Sequence, residues 1–156
     1  MSADIVDAAT RSRMMAGIRR RDTKPEMIVR SGLHRRGFRF RLDDRRLPGR
    51  PDIVLARRRA AIFVHGCFWH GHDCPLYRLP KTRPEFWEPK IEGNRARDRA
   101  AAAALQAASW RVLTVWECAF RGRSADVRES MLDAAAAWLQ GEAITGELRG
   151  AVNGSC

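Results

Sequence analysis

The chain has 156 residues, 45% of them hydrophobic, and 29 basic against 18 acidic side chains for a net charge of +11. That length suits one domain that buries about two-thirds of its unfolded surface, and no apolar run approaches the roughly 20 residues that span a bilayer. The opening Met1-Ser-Ala-Asp-Ile-Val-Asp7 lacks the basic-then-apolar pattern of a secretory signal. A cytoplasmic protein is expected, in which reduced thiols favour metal over disulfides. The only lysines are Lys24, Lys81 and Lys90. The remaining basic residues are arginines, which grip phosphate bidentately, and a surplus of this size suits a polyanion such as nucleic acid.

In chain order, residues 1–21 form a basic arm in which Arg11, Arg13, Arg19, Arg20 and Arg21 surround Met14 and Met15. Alone it reads as a solvated tail; beside DNA it would have phosphates to hold. Residues 22–141 are expected to form the folded domain. Thr23-Lys-Pro-Glu26 is a capping box opening a helix that runs to about Arg36 and stops at Gly37. Glu26 has that capping duty, yet it shares a face with Val29 and Leu33 and could also reach a site at the helix start. Phe38–Leu42 alternates as a strand, Asp52–Ala56 is a second, and Arg57-Arg58-Arg59 turns into a third, Ala60–His65. In an antiparallel pair Asp52 and His65 lie at neighbouring strand ends.

Pro75–Pro89 reads as an irregular loop carrying Tyr77, Phe86 and Trp87, followed by an alanine-rich helix from Lys90 to about Ser109. Trp110–Trp116 is a fourth strand. Ser124 caps a last helix with a core stripe of Val127, Met131, Ala134, Ala135 and Trp138, ended by Gly141. Residues 142–156 have little to bury and are expected to be a mobile tail. The element order predicts a small α/β sandwich.

The chemistry concentrates in Phe63-Val-His-Gly-Cys-Phe-Trp-His-Gly-His-Asp-Cys74, which holds three of the four histidines and two of the four cysteines. Cys67, His72 and Cys74 have the compact spacing of three ligands to one tetrahedral zinc. The fourth must come from elsewhere, and Cys118, fixed just after a strand, is a better candidate than the terminal Cys156. Three thiolates and an imidazole leave no open position, so such a zinc is structural. His65 and His70 are then left over. With Asp52 to bind Mg2+ and imidazoles to handle protons, the set suits phosphodiester hydrolysis.

Several motifs carry a specific resemblance: Ala9-Thr-Arg-Ser-Arg13, Arg21-Asp-Thr23, Leu47-Pro-Gly-Arg-Pro-Asp52, Phe63-Val-His-Gly-Cys-Phe-Trp-His70, Glu85-Phe-Trp87, Lys90-Ile91, Asn94, Arg97-Asp-Arg99 and the run from Trp110 to Cys118. In this order, over about residues 8 to 141, the chain resembles the very-short-patch repair endonucleases. The resemblance implies a bacterial Mg2+-dependent enzyme that nicks double-stranded DNA 5′ to the thymine of a T:G mismatch left by 5-methylcytosine deamination. It implies a restriction-endonuclease-like core, a central mixed sheet flanked by helices, with a structural zinc site. Histidine of Phe63-Val-His65 stands where such cores usually carry lysine.

Carried over position by position, Asp52 resembles the Mg2+-binding carboxylate, with Val64 offering its main-chain oxygen to the metal. His70 resembles the proton acceptor, His65 a phosphate-side partner, and Glu26 an acid supporting the hydrated metal. Cys67, His72, Cys74 and Cys118 match the zinc set. Phe68, Trp69 and Trp87 match rings that wedge into the base stack, with Met15 inserting from the opposite side, and Lys90 and Asn94 match residues near the mismatched bases. The protein is expected to act as a monomer off the membrane, with repair proteins as further partners. The competing readings are a related nuclease with another mismatch or junction specificity, and a zinc-stabilised DNA-binding module without catalysis.

Overall fold

The computed structural model describes residues 23–150; the basic arm with Met15, and Cys156, lie outside them. The elements are α1 (Lys24–Arg35), β1 (Arg41–Leu42), β2 (Ile53–Leu55), β3 (Ala60–His65), α2 (Pro84–Ala107), β4 (Arg111–Trp116), α3 (Ala125–Gln140) and β5 (Thr145–Leu148). They form a mixed α/β fold around one five-stranded sheet in the order β1-β2-β3-β4-β5. The β1–β2 and β2–β3 pairs are antiparallel, and β3–β4 and β4–β5 are parallel. No helix among the described residues is long and apolar enough to cross a membrane.

Strand alternation divides the core in two. Ile53, Leu55, Ile62, Leu113, Val115 and Leu148 point to one face and pack with Val29 and Leu33 of α1 and Leu132, Ala135 and Leu139 of α3. Val54, Ala61, Phe63 and Val112 point to the other, against Leu105 of α2 and Trp110. Two helices therefore cover one face and a single helix the other. Gly32 lets α1 approach α3 closely, since a Cβ there would collide with Leu132. Arg35 and Arg36 then reach Glu129 and Asp133 across the two helices.

The capping box forms as expected: Thr23 Oγ1 accepts from the Glu26 N–H at 3.4 Å and Pro25 sits in the first turn. Four sequence expectations change. The strand expected over Phe38–Leu42 is formed only at Arg41–Leu42, and Phe38 instead joins the core. The stretch 75–89 is irregular only as far as Arg83, because Pro84 starts α2 where proline's missing N–H costs nothing. The buried stripe of α3 is Leu132, Ala135 and Leu139, whereas Val127 is 38% exposed and Ala134 faces solvent. Both stripes have helical spacing, and Gly32 opposite Leu132 decides which one turns inward. Lastly, the segment after Gly141 supplies β5, whose Leu148 joins the core.

Leu132→Ala should destabilise the fold by about 2–5 kcal/mol, and Val127→Ala by about 0.5 kcal/mol or less. Chemical denaturation of both variants checks the assignment of the buried stripe.

Candidate active site and metal centre

The β3–β4 register fixes both centres. His65 pairs with Trp116 at the end of the parallel ladder, so the chain leaving β3 and the chain leaving β4 emerge side by side. Cys67, His72, Cys74 and Cys118 converge there, with all their ligand atoms within 4.8 Å of one another. Cys67 Sγ is 3.5 Å and Cys118 Sγ 3.6 Å from His72 Nδ1. Cys67, His72 and Cys118 are buried. A hydrogen bond with Cys118, then burial, push the Cys67 thiol far above its ordinary range.

Neighbours lock this cluster. Glu117 accepts the Cys67 N–H at 3.1 Å, the His72 ring stacks on Trp116 at 3.8 Å, and Gly150 N–H donates to Cys118 Sγ at 3.3 Å. Arg149 pairs with Asp73 at 2.8 Å. The residues behind β5 thus close over the metal centre. Gly71 has φ +59, and a Cβ there would run into Arg95 and Ile91. Arg95 instead holds the Gly71 carbonyl with Nε at 3.1 Å, tying the ligand loop to α2.

On the other side of His65 lies a cleft of about 410 Å3 lined by Asp52, Val64, His65, His70 and Asp98, with Arg45, Arg50 and Arg97 at its rim. Antiparallel pairing of β2 and β3 brings Asp52 to Val64, whose N–H donates to Asp52 Oδ2 at 2.7 Å. Burial, followed by the charges of Glu26 and Asp43, raises the Asp52 carboxyl from 3.8 to about 7 against the opposing Val64 hydrogen bond. Glu26 is buried and bound to Arg30, so its position at the helix start places a second acid near Asp52. The His65 and His70 rings stack at 3.8 Å. Burial, then the neighbouring His70, lowers His65 from 6.5 to about 3, which keeps its imidazole neutral.

Asp98 completes the site and was given no role from sequence. Its Oδ2 lies 2.6 Å from His70 Nδ1 and its Oδ1 3.9 Å from His65 Nε2. The signal was a spacing: Trp87, Ile91, Asn94 and Asp98 follow one face of α2 toward the 63–74 segment. Missing it followed from starting that helix at Lys90, which put Trp87 in a loop.

Phe68, Trp69 and Trp87 pack against one another. Their ring centroids are 5.1 Å (Phe68–Trp69), 5.5 Å (Phe68–Trp87) and 5.9 Å (Trp69–Trp87) apart, and all three remain half-buried. Asn94 does not stand free beside them: its Nδ2 donates to the Trp69 carbonyl at 2.7 Å, and its Oδ1 accepts from Arg97. Lys90 lies half-buried on the same helix.

The family model for the DNA mismatch endonuclease Vsr matches residues 3–76. The DNA mismatch endonuclease Vsr of Escherichia coli is 47% identical over 146 residues, 94% of each chain. The type II nicking enzyme V.XorIIP of Xanthomonas oryzae is 53% identical over 74% of this chain and 85% of its own. V.NmeAIP of Neisseria meningitidis, another type II nicking enzyme, is 40% identical over 78% of this chain and 86% of its own. With identity of this level running nearly end to end, the chain belongs to the Vsr family of DNA mismatch endonucleases.

Proposed function

We propose that the protein nicks one strand of duplex DNA 5′ to the thymine of a T:G mismatch by Mg2+-dependent hydrolysis, on a restriction-endonuclease-like core pinned by zinc. The observation that carries the chemistry is the opening of Asp52, His65 and the His70–Asp98 pair on one arginine-rimmed cleft. Asp52, raised to about 7 by burial and by Glu26 and Asp43, has the excess negative field that a divalent cation relieves. Asp52 and the Val64 main-chain oxygen would hold it. Bound there, Mg2+ supplies charge stabilisation on the phosphate and acidifies water.

The protein residues do the rest. Asp98 accepts the hydrogen bond of His70 Nδ1–H, which fixes the ring tautomer and leaves Nε2 to take the proton of the attacking water. Oxygen of that water bonds to phosphorus while the opposite P–O bond breaks, and the leaving oxygen takes a proton from solvent water and is released as a hydroxyl, His70 returning the proton it accepted to solvent. His65, neutral because of burial, faces the phosphate as a hydrogen-bonding imidazole. Arg45, Arg50 and Arg97 hold the flanking backbone.

For the structural metal, bonds of about 2.3 Å to sulfur and 2.0–2.1 Å to nitrogen give a tetrahedral S···N edge of roughly 3.6 Å. The two thiol–imidazole distances of 3.5 and 3.6 Å match that edge. Cys67, His72, Cys74 and Cys118 fit zinc with no position left open. Phe68, Trp69 and Trp87 form the wedge: parting a base step costs a few kcal/mol, and less where a mismatch has already weakened stacking.

Nicking assays on T:G, other mismatched and fully paired duplexes test the activity; specific binding without nicking would leave a DNA-binding module instead. Asp52→Ala and His70→Ala should each lose at least about a hundredfold in nicking rate with mismatch binding retained, and Asp98→Asn should lose about tenfold or more. The raised Asp52 pKa also fixes a sign. A carboxyl with a folded value above its unfolded one favours the fold at low pH, and that contribution is lost as pH rises from about 4 through 7. Asp52→Asn should therefore stabilise the Mg2+-free protein at pH 8 by an amount on the order of a few kcal/mol, hardly at pH 4, as thermal melts would read.

Metal analysis should find about one zinc per chain. It should be lost with thermal stability in Cys118→Ala and retained in Cys156→Ala; zinc kept by Cys118→Ala would move the fourth ligand elsewhere. Trp69→Ala should keep its zinc and fold yet lose most discrimination between T:G and paired DNA. A fluorescent base analogue beside the mismatch should brighten on binding wild type and much less with that variant.

A further inference from the structure

A second cavity, of about 500 Å3, lies against the opposite side of the His65–His70–Asp98 cluster from the Asp52 cleft. It exists because α2 covers its face of the sheet unevenly. Leu105 packs on Val54, Ala61, Phe63 and Val112, whereas the end of β4 and all of β5 carry no helix on that face among the described residues. The cavity fills the space between Arg95, Asp98, Arg99 and Ala102 of α2 and Thr114, Trp116 and Glu147 of the sheet. Its size is that of a small-ligand site rather than a packing defect.

The ligand chemistry follows from which groups remain uncommitted. Asp98 is engaged by His70, Asp73 by Arg149 and Glu147 by the Trp116 indole N–H at 2.8 Å. Arg95 is held by the Gly71 carbonyl and Glu92. Every acid in the lining is thus paired. Arg99 is exposed and makes no ion pair or hydrogen bond among the described residues. His65 Nδ1 is buried with no hydrogen-bond partner. The remaining walls, Phe63, Ala102 and Trp116, are apolar or flat.

We propose that this cavity is a second binding site, for a planar ring joined to one anionic group, the chemistry of a nucleoside monophosphate. The ring lies between the aromatic and alanine walls, and the anion pairs with Arg99 at the mouth. Occupancy places the ligand against the Asp98 that orients His70. It therefore slows nicking without competing for DNA, a consequence that rests on the catalytic reading above, whereas binding itself does not.

Equilibrium dialysis of the zinc-loaded protein with thymidine 5′-monophosphate tests binding, with thymidine and inorganic phosphate as arms lacking the anion or the ring. Wild type should take up about one nucleotide per chain, at a dissociation constant no weaker than about 1 mM. Ala102→Phe, which fills the cavity, should bind at least about tenfold more weakly. Arg99→Ala should lose about tenfold for the nucleotide and nothing for thymidine. Nicking by wild type should fall with added nucleotide at unchanged KM for DNA, and nicking by Ala102→Phe should not respond. Arg99→Ala keeps the test intact if Ala102→Phe does not fold. Absence of nucleotide binding to wild type overturns the proposal. So does equal uptake by both variants, or displacement of the nucleotide by DNA, which would put it in the Asp52 cleft; equal uptake of phosphate alone would reduce the site to an anion contact. A protein that binds as expected but never nicks would refute the catalytic reading and leave this one standing.

Discussion

The interaction on which the site depends is the parallel pairing of β3 with β4, six residues in register from Ala60–Arg111 to His65–Trp116. Parallel strands point the same way, so the segments leaving them start together at one edge of the sheet. One segment carries Cys67, His72 and Cys74, and the other carries Cys118. Sliding β3 by one residue along β4 would put His65 and Trp116 on opposite faces of the sheet. His72 would lose its stacking partner and Asp98 its second imidazole. The metal cluster and the register therefore reinforce each other: the ligands meet only in this register, and a cation joining them would forbid any other.

That dependence explains what sequence could and could not show. The gathering of Asp52, His65 and His70 at one cleft and of Cys67, His72, Cys74 and Cys118 in one cluster could be anticipated because each sits at a strand end or in a short loop, where residue type alone signals chemistry. The strands β2, β3 and β4 and the Thr23 cap were legible for equally local reasons, whereas the alternation of Phe38–Leu42 yields only the two-residue β1. Asp98 was not, since an acid on an arginine-flanked helix looks like an ordinary solvated face, and only packing of α2 turns it toward His70. Residues 145–150 were not legible either. Their composition offers one buried leucine, and β5 exists because β4 has a free edge to pair with. The buried stripe of α3 was misplaced for a similar reason: two helical faces were apolar enough, and Gly32 on a different helix chose between them.

The uneven cover of the sheet has a functional side. On the face with two helices the core is continuous, and among the described residues Glu26 lies buried at the start of α1. On the other face a single long helix covers β2, β3 and the start of β4, and one side of it supplies Trp87, Asn94 and Asp98 in turn. One helix therefore connects the ring cluster, the Trp69 carbonyl and the His70–Asp98 pair. Asn94 holding the Trp69 carbonyl and Arg95 holding the Gly71 carbonyl tie the wedge and ligand loop to that helix. Through these contacts and the Asp98–His70 pair, the ring-bearing loop, the ligand loop and His70 are all fixed to the same helix.

Charge works at two ranges here. The chain as a whole is strongly basic, at +11, and Arg45, Arg50 and Arg97 rim the cleft, so a polyanion is drawn in from a distance. Within the cleft the sign reverses: burial, then the charges of Glu26 and Asp43, raise the Asp52 carboxyl to about 7. A phosphate brought in by the rim would be repelled by such an interior unless a divalent ion sat between them. The same acids that disfavour a bare phosphate would favour a cation, so the rim and the interior of the cleft divide two tasks: the arginines suit the polyanion and the buried carboxylates suit a positive ion.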